Sequence, residues 1–436
     1  MKQLNLTLLL LAIFAVSVMG QQDPTKAWKE AGKELGKYVV NAERVENLSN
    51  AKEKIDQAIT GIDQIAEKLH AKVYDRAANV YFEIANEPGL KAKTPTAANT
   101  AKEYFWKTAE IGKDYQKESV GKKLPDLGNI FVQDGQDLYE AKKYGDALTA
   151  LENALACKVK IAELGNKASL FLITEEQENA IKLYAGFAAY NNENFDAARK
   201  YLEPVAAAKF DEAQMYSVLF KLYKEDDIEK AFAYLDEGVK RYPAQKALLY
   251  DKINYYLTTK QMDKLEVDLK KAIEVDPDNA QLTFTLGQVY EDLSTDAYKE
   301  DNFEDGDKYF ASALEFYKQT VNIDAKYFDA IYQVGAIYYN RAVRMYKQRA
   351  GLKMDENAKY KELTESINTM YTKAWESFKK AEQVRSNDEL LITAMKELYA
   401  RTNQTEHYTA MKERLAKVKA DKKTELAPYK HPASLF

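Results

Sequence analysis

Two stretches of this chain align on each other at a spacing of 34 residues: YKEDDIEKAFAYLDEGVKRYP closes at Pro243, and LTTKQMDKLEVDLKKAIEVDP closes at Pro277. A period of that length, with a small residue two-thirds of the way along and a proline near its end, marks stacked helical hairpins. Such a stack grows by adding neighbours, so its 436 residues do not have to split into the about three domains that length alone suggests. Composition agrees: 17 Gly and 9 Pro, with abundant Ala, Leu, Lys and Glu, suit an almost wholly helical chain. With 63 basic against 68 acidic residues, net −5, there is no global field to recruit nucleic acid. Tyrosine is the unusual residue, 31 against 3 Trp and 3 His.

The first residues read MKQLNLTLLLLAIFAVSVMG and then QQDP. Lys2 supplies a positive start, residues 4–16 an apolar run, and Val18, Met19 and Gly20 a cleavable end. That order predicts a secretory signal peptide over 1–20, cleaved before Gln21. A membrane anchor needs roughly 20 apolar residues, and the polar Gln-Gln-Asp comes too soon. The leader has no cysteine to carry a lipid. Cys157 is the only cysteine, so no intramolecular disulfide forms, and its apolar helical setting predicts a buried small hydrophobe.

Counted along the 34-residue unit, small residues recur at places 8, 20 and 27. One window has Gly135, Ala147 and Ala154, with Tyr144 at place 17 and Leu151 at place 24. The next has Gly186, Ala198 and Val205, with Phe195 and Leu202; the third Leu219, Ala231 and Gly238, with Ile228 and Leu235; the fourth Ile253, Leu265 and Ala272, with Met262 and Leu269. A fifth carries Leu286, Gly287 and Tyr290, then Tyr317 and Thr320. A sixth opens on Val334, Gly335 and Tyr338 and resumes at Tyr371, Ala374, Phe378 and Ala381. Tyr74, Ala78, Tyr81, Phe105 and Thr108 make a looser copy, and 387–415 reads as a closing helical pair. On these residues the chain resembles the tetratricopeptide (TPR) family over 70–425. The packing reason is plain: where two antiparallel helices cross, place 8 faces place 20 with little bulk. Places 20, 24 and 27 share one helical stripe, which only a stack buries on both sides.

The expected fold is therefore all-α: a right-handed TPR-like α-solenoid of stacked helical hairpins, with elongated hairpins in the C-terminal half. Its parts are a signal peptide (1–20), a divergent helical pair (21–69) containing Trp28, Leu35 and an Ile55/Ala58/Ile59/Ile62 stripe, the solenoid (70–425) and a short tail (426–436). About 14 residues are inserted at the corner of the fifth unit and about 27 at that of the sixth. The inserted stretches, 294–302 and 341–370, hold helix formers and predict longer helices. Around Asn86-Glu87-Pro88-Gly89 and Thr94-Pro95 a loop is expected. Pro204 is expected to end its helix one turn early.

The chain offers little chemistry. His70, His407 and His431 are scattered outside any H-E-x-x-H pattern, and neither a G-x-S-x-G elbow nor a phosphate loop occurs. The acidic 301–307 run (DNFEDGD) departs from a calcium loop, with Phe303 at the third position and Ser312 at the twelfth. It reads as a solvated corner, as do Glu225-Asp226-Asp227 and the lysine-rich 412–423. No metal, cofactor or catalytic residue is expected.

What remains is surface. The resemblance implies that places 2, 5, 9 and 12 of each first helix line a concave face. Those places hold Tyr139, Leu183, Phe187, Tyr190, Tyr216, Phe220, Tyr223, Tyr250, Phe284, Tyr332 and Tyr339, of which the ten aromatics are the candidate groove. The opposing expectation is that curvature buries these rings between repeats. The function implied is a non-catalytic scaffold or adaptor of the bacterial cell envelope, periplasmic or secreted. It would bind a protein or peptide, with no nucleic acid and no integral membrane segment once the leader is removed. The alternative is an outer-membrane-associated glycan-binding protein with embedded TPR units; proteins of that kind carry a lipidated cysteine and Trp-rich platforms that are missing here.

Overall fold

The structure, a computed structural model, describes residues 23–165 and 174–420. The expected leader (1–20) and tail (426–436) lie outside the described residues. The chain divides into two compact units, Met1–Tyr234 and Leu235–Phe436.

In the first unit α1 (Pro24–Val40) packs on α2 (Val45–Thr60), and α3 (His70–Asn86) is followed by the short α4 (Pro88–Lys93) and packs on α5 (Ala97–Ile111). Then α6 (Asp114–Glu140) pairs with α7 (Tyr144–Glu163), and α8 (Glu175–Asn191) with α9 (Phe195–Ala207). Next comes α10 (Ala213–Tyr223), and the division between the units falls within α11 (Ile228–Arg241). In the second unit α12 (Lys246–Thr259) pairs with α13 (Met262–Val275), α14 (Ala280–Lys299) with α15 (Phe303–Ile323), α16 (Phe328–Ala350) with α17 (Asn357–Val384), and α18 (Glu389–Arg401) with α19 (Thr405–Ala420). Among the described residues there is no strand, and no helix is long and apolar enough to cross a membrane.

Five hairpins turn by one device. Lys142, Glu193, Lys260, Asp301 and Asn403, each just past a first helix, all have φ between 56° and 60°. The next residue's N–H returns to the carbonyl five positions back: Lys143 to Leu138 at 2.8 Å, Asn194 to Ala189 at 2.9 Å, Gln261 to Tyr256 at 3.0 Å, Asn302 to Ala297 at 2.9 Å and Gln404 to Tyr399 at 2.9 Å. This left-handed cap satisfies an end carbonyl and reverses the chain at once. A non-glycine residue pays on the order of 1–2 kcal/mol for it, so its recurrence shows how strongly hairpin packing dictates the corner.

Each place-8 glycine leaves a slot, and the occupant corrects the expectation drawn from sequence. A Cβ built on Gly135 would stand 2.6 Å from Leu151, on Gly186 2.5 Å from Leu202, on Gly287 2.7 Å from Tyr317, and on Gly335 2.5 Å from Phe378. The place-24 side chain fills the slot, and place 20 contributes backbone, with the Ala147 carbonyl at 3.5 Å and that of Ala374 at 3.2 Å. All four occupants are fully buried.

The hairpins α14/α15 and α16/α17 are elongated, as the insertions imply. Two local expectations are corrected. Residues 88–93 form a short helix rather than a loop, because Pro88 sits in its first turn and the Glu87 carboxylate accepts the Leu90 N–H at 2.5 Å. Helix α9 runs through Pro204 to Ala207, because the ring removes a single hydrogen bond near a helix end that packing already holds.

Candidate functional site

The ten aromatics of the expected groove do not share one environment. Phe187, Tyr216, Phe220 and Phe284 are buried, while Tyr139, Tyr190, Tyr223, Tyr250, Tyr332 and Tyr339 are half-buried. Packing accounts for the buried set: Phe220 meets Phe232 edge-on at 5.6 Å, and Phe284 lies 5.6 Å from Tyr317 and 5.1 Å from Tyr327. Those four rings offer a partner almost no area.

Several half-buried rings are also engaged within the chain. Tyr223 donates to the Glu203 carboxylate, and its ring meets Arg199 at 4.9 Å, Lys230 at 4.0 Å and Tyr234 at 6.0 Å. Lys230 donates to the same carboxylate at 2.6 Å, the main reason its ammonium titrates above its usual range. Tyr250 donates to Asp276 at 2.7 Å and accepts from Asn279 at 3.1 Å. With Lys246 at 2.8 Å, those contacts pull the Asp276 carboxyl down to about 2, the Lys246 hydrogen bond contributing most. Tyr332 packs on Phe328 and Phe378, and Tyr339 on Tyr371.

An aromatic cluster stays partly open to solvent at a hairpin corner of the first unit. Tyr139, at the end of α6, meets Tyr144 at the start of α7 edge-on at 5.3 Å and Tyr184 of α8 edge-on at 6.2 Å. Asn191 braces it, donating to the Tyr139 hydroxyl at 3.1 Å and to the Phe187 carbonyl at 2.9 Å. One hairpin further, Tyr190 and Phe195 repeat the Tyr139/Tyr144 pairing at 6.0 Å. Tyr184 is 40% exposed and Phe195 48%. The groove pattern includes Tyr139 and Tyr190 but misses their companions: Tyr144 and Phe195 fall at place 17, outside that pattern, and Tyr184 falls at no patterned place.

The remaining chemistry is structural. Among the described residues no group of three His, Cys, Asp or Glu side chains is placed to hold a metal. At the acidic corner Asp307 is taken by Arg341 and by the Tyr298 hydroxyl. Cys157 is buried, which pushes its thiol up to about 12 and leaves it unreactive. Two hollows also open in the first unit, of about 910 Å³ beside His70 and Gln116 and about 500 Å³ beside Phe82 and Ile130.

Hairpin pairing, the recurrent left-handed corner and the glycine slots together make each unit a stack of TPR-like antiparallel hairpins. No protein-family model matches the chain, and no curated protein matches it. Solved structures similar to it include the TPR protein YrrB, at 18% identity over 46% of this chain and 88% of that one, TM-score 0.32. Others are the C-terminal part of a TPR repeat-containing protein from Cytophaga hutchinsonii (14%, 74% and 99%, 0.42) and a TPR repeats protein from Bacteroides fragilis (16%, 63% and 98%, 0.30).

Proposed function

We propose that this protein is a non-catalytic scaffold that holds a protein or peptide partner against the aromatic corner of its first unit. The observation that carries the reading is the cluster of half-buried Tyr139 and Tyr144 with exposed Tyr184, continued by half-buried Tyr190 and exposed Phe195. Tyrosine offers contact area together with a hydrogen-bonding tip, and aromatic clusters left in water mark interaction surfaces. The place of work we infer is the bacterial cell envelope, periplasmic or secreted, from the leader-like composition of residues 1–20.

The test is crosslinking capture from the source envelope beside a glycan array, with wild type and the Tyr184→Ala/Phe195→Ala variant. Interface anchors of this type carry about 2 kcal/mol each, so capture should weaken by at least about 100-fold. Melting temperature should hardly move, because both side chains are exposed. Undiminished capture by a fully stable variant, or capture of glycan instead of protein, would sink the proposal.

A further inference from the structure

The hollow of about 910 Å³ lies where the turn Glu67–Leu69 and the start of α3 meet the end of α5 and the start of α6. Lys68, Lys72 and Lys113 line it, and among the described residues none of the three is in an ion pair. A further cation, Lys107, is held by Glu103 at 2.6 Å. Glu67 and Glu110 share the lining, so cations outnumber carboxylates four to two.

Backbone charge adds to the same sign. Helix α6 begins at this hollow behind Lys113, and no side chain caps the N–H groups of its first turn; α3 instead continues from the turn Glu67–Leu69, whose Glu67 carbonyl already takes the His70 N–H. The start of α6 therefore adds unpaired backbone donors and a positive partial charge.

One side chain points independently to a missing acceptor. Gln116 lines the hollow and is 5% exposed. Its Oε1 accepts the Lys113 N–H at 3.1 Å, while its Nε2 has no partner. Buried donors are nearly always satisfied, so an orphan beside unpaired lysines calls for an acceptor from outside. Size and lining then narrow the ligand. About 910 Å³ far exceeds a bare phosphate and lies in the range of sites that enclose larger ligands. Ile111 and Tyr115, 53% and 57% exposed, supply an apolar flank.

We propose that this hollow docks an acidic peptide segment of the protein partner. Its carboxylates would meet Lys68, Lys72, Lys113, the Gln116 amide and the start of α6, and an apolar side chain would lie on Ile111 and Tyr115. The proposal rests on the scaffold reading but uses residues apart from the aromatic corner.

The experiment uses the full chain and fluorescence anisotropy with a fluorescein-labelled Glu-Glu-Leu-Glu-Glu-Leu peptide, its Gln-Gln-Leu-Gln-Gln-Leu counterpart, and inorganic phosphate as competitor. The acidic peptide should bind at least about 20-fold tighter than the neutral one, and more weakly as salt rises. Lys72→Glu/Lys113→Glu should abolish the preference, Lys72→Arg/Lys113→Arg should keep it, and Gln116→Leu should weaken binding while lowering the melting temperature modestly, because the Lys113 N–H loses its acceptor. Equal binding of both peptides, indifference to the charge reversal, or displacement by phosphate at the peptide's own concentration would overturn it. The Tyr184→Ala/Phe195→Ala variant should bind the acidic peptide normally, so failure here and failure of the aromatic corner are read separately.

Discussion

A glycine carries opposite weight at two positions of this chain. In α8 a Cβ on Gly186 would press within 2.5 Å of the Leu202 side chain, whereas in α1 a Cβ on Gly36 would meet nothing within 4 Å. Gly186→Ala should therefore destabilise by about 1–3 kcal/mol through overpacking. Gly36→Ala should stabilise by about 0.5–1 kcal/mol, because helix-interior glycine carries an entropy cost and no contact is lost. Trimming the neighbour in Gly186→Ala/Leu202→Ala should cost less than the two single changes added together. Denaturant midpoints of the four variants check this, and equal shifts for the two glycine changes would refute the slot. Sequence spacing was enough to find Gly186, since the repeat demands smallness there. It could not name Leu202 as the occupant, because that depends on where the two helices cross.

Helix length has consequences of its own. In the long hairpin α14/α15, Tyr317 fills the slot beside Gly287 and donates its hydroxyl to Glu291 at 2.6 Å. Burial pushes the Glu291 carboxyl above its usual range, more than the Tyr317 hydrogen bond and Arg344 hold it down. A raised folded pKa means that its contribution is complete below the unfolded value, about 4.3, and is lost as pH rises through the folded one. Glu291→Gln keeps an acceptor for Tyr317 and removes the buried charge. Its melting temperature should match wild type below about pH 4 and exceed it increasingly towards pH 7. A difference that stays flat across that range would contradict the assignment. The elongation itself was legible, since insertions of helix formers at a hairpin corner have nowhere else to go. Helix α4 and the passage of α9 through Pro204 were not, because capping by Glu87 and packing around α9 overrode local breaker signals. The aromatic surface was half legible. Tyr139 and Tyr190 stand at patterned places, but Phe187 and Tyr216 at similar places are buried. Whether a ring meets solvent is decided by the neighbouring hairpin, and a repeat register does not encode that neighbour's bulk.

At the scale of the whole molecule, hairpins pack on sequence neighbours, so stability is local and the ends need a device to close them. At the C-terminal end of the described residues that device is a buried ion pair: Arg414 of α19 with Glu382 of α17, their side chains 8% and 4% exposed. Arg414 also donates to the Ser386 carbonyl at 2.8 Å, tying α19 to the turn that follows α17. Removing one partner leaves a charge without compensation in a dry site, so Glu382→Ala should destabilise this end by about 3–5 kcal/mol. Replacing both, as Glu382→Leu/Arg414→Met, should restore most of that loss, because a packed apolar pair avoids the desolvation cost altogether. Hydrogen exchange followed by mass spectrometry separates the local account from a global one. Glu382→Ala should lose protection in α17, α18 and α19 while α1 to α5 keep theirs. Uniform loss along the chain would mean that the hairpins unfold as one cooperative body. An unrescued double variant would mean that Arg414 and Glu382 hold this end by geometry that apolar side chains cannot reproduce.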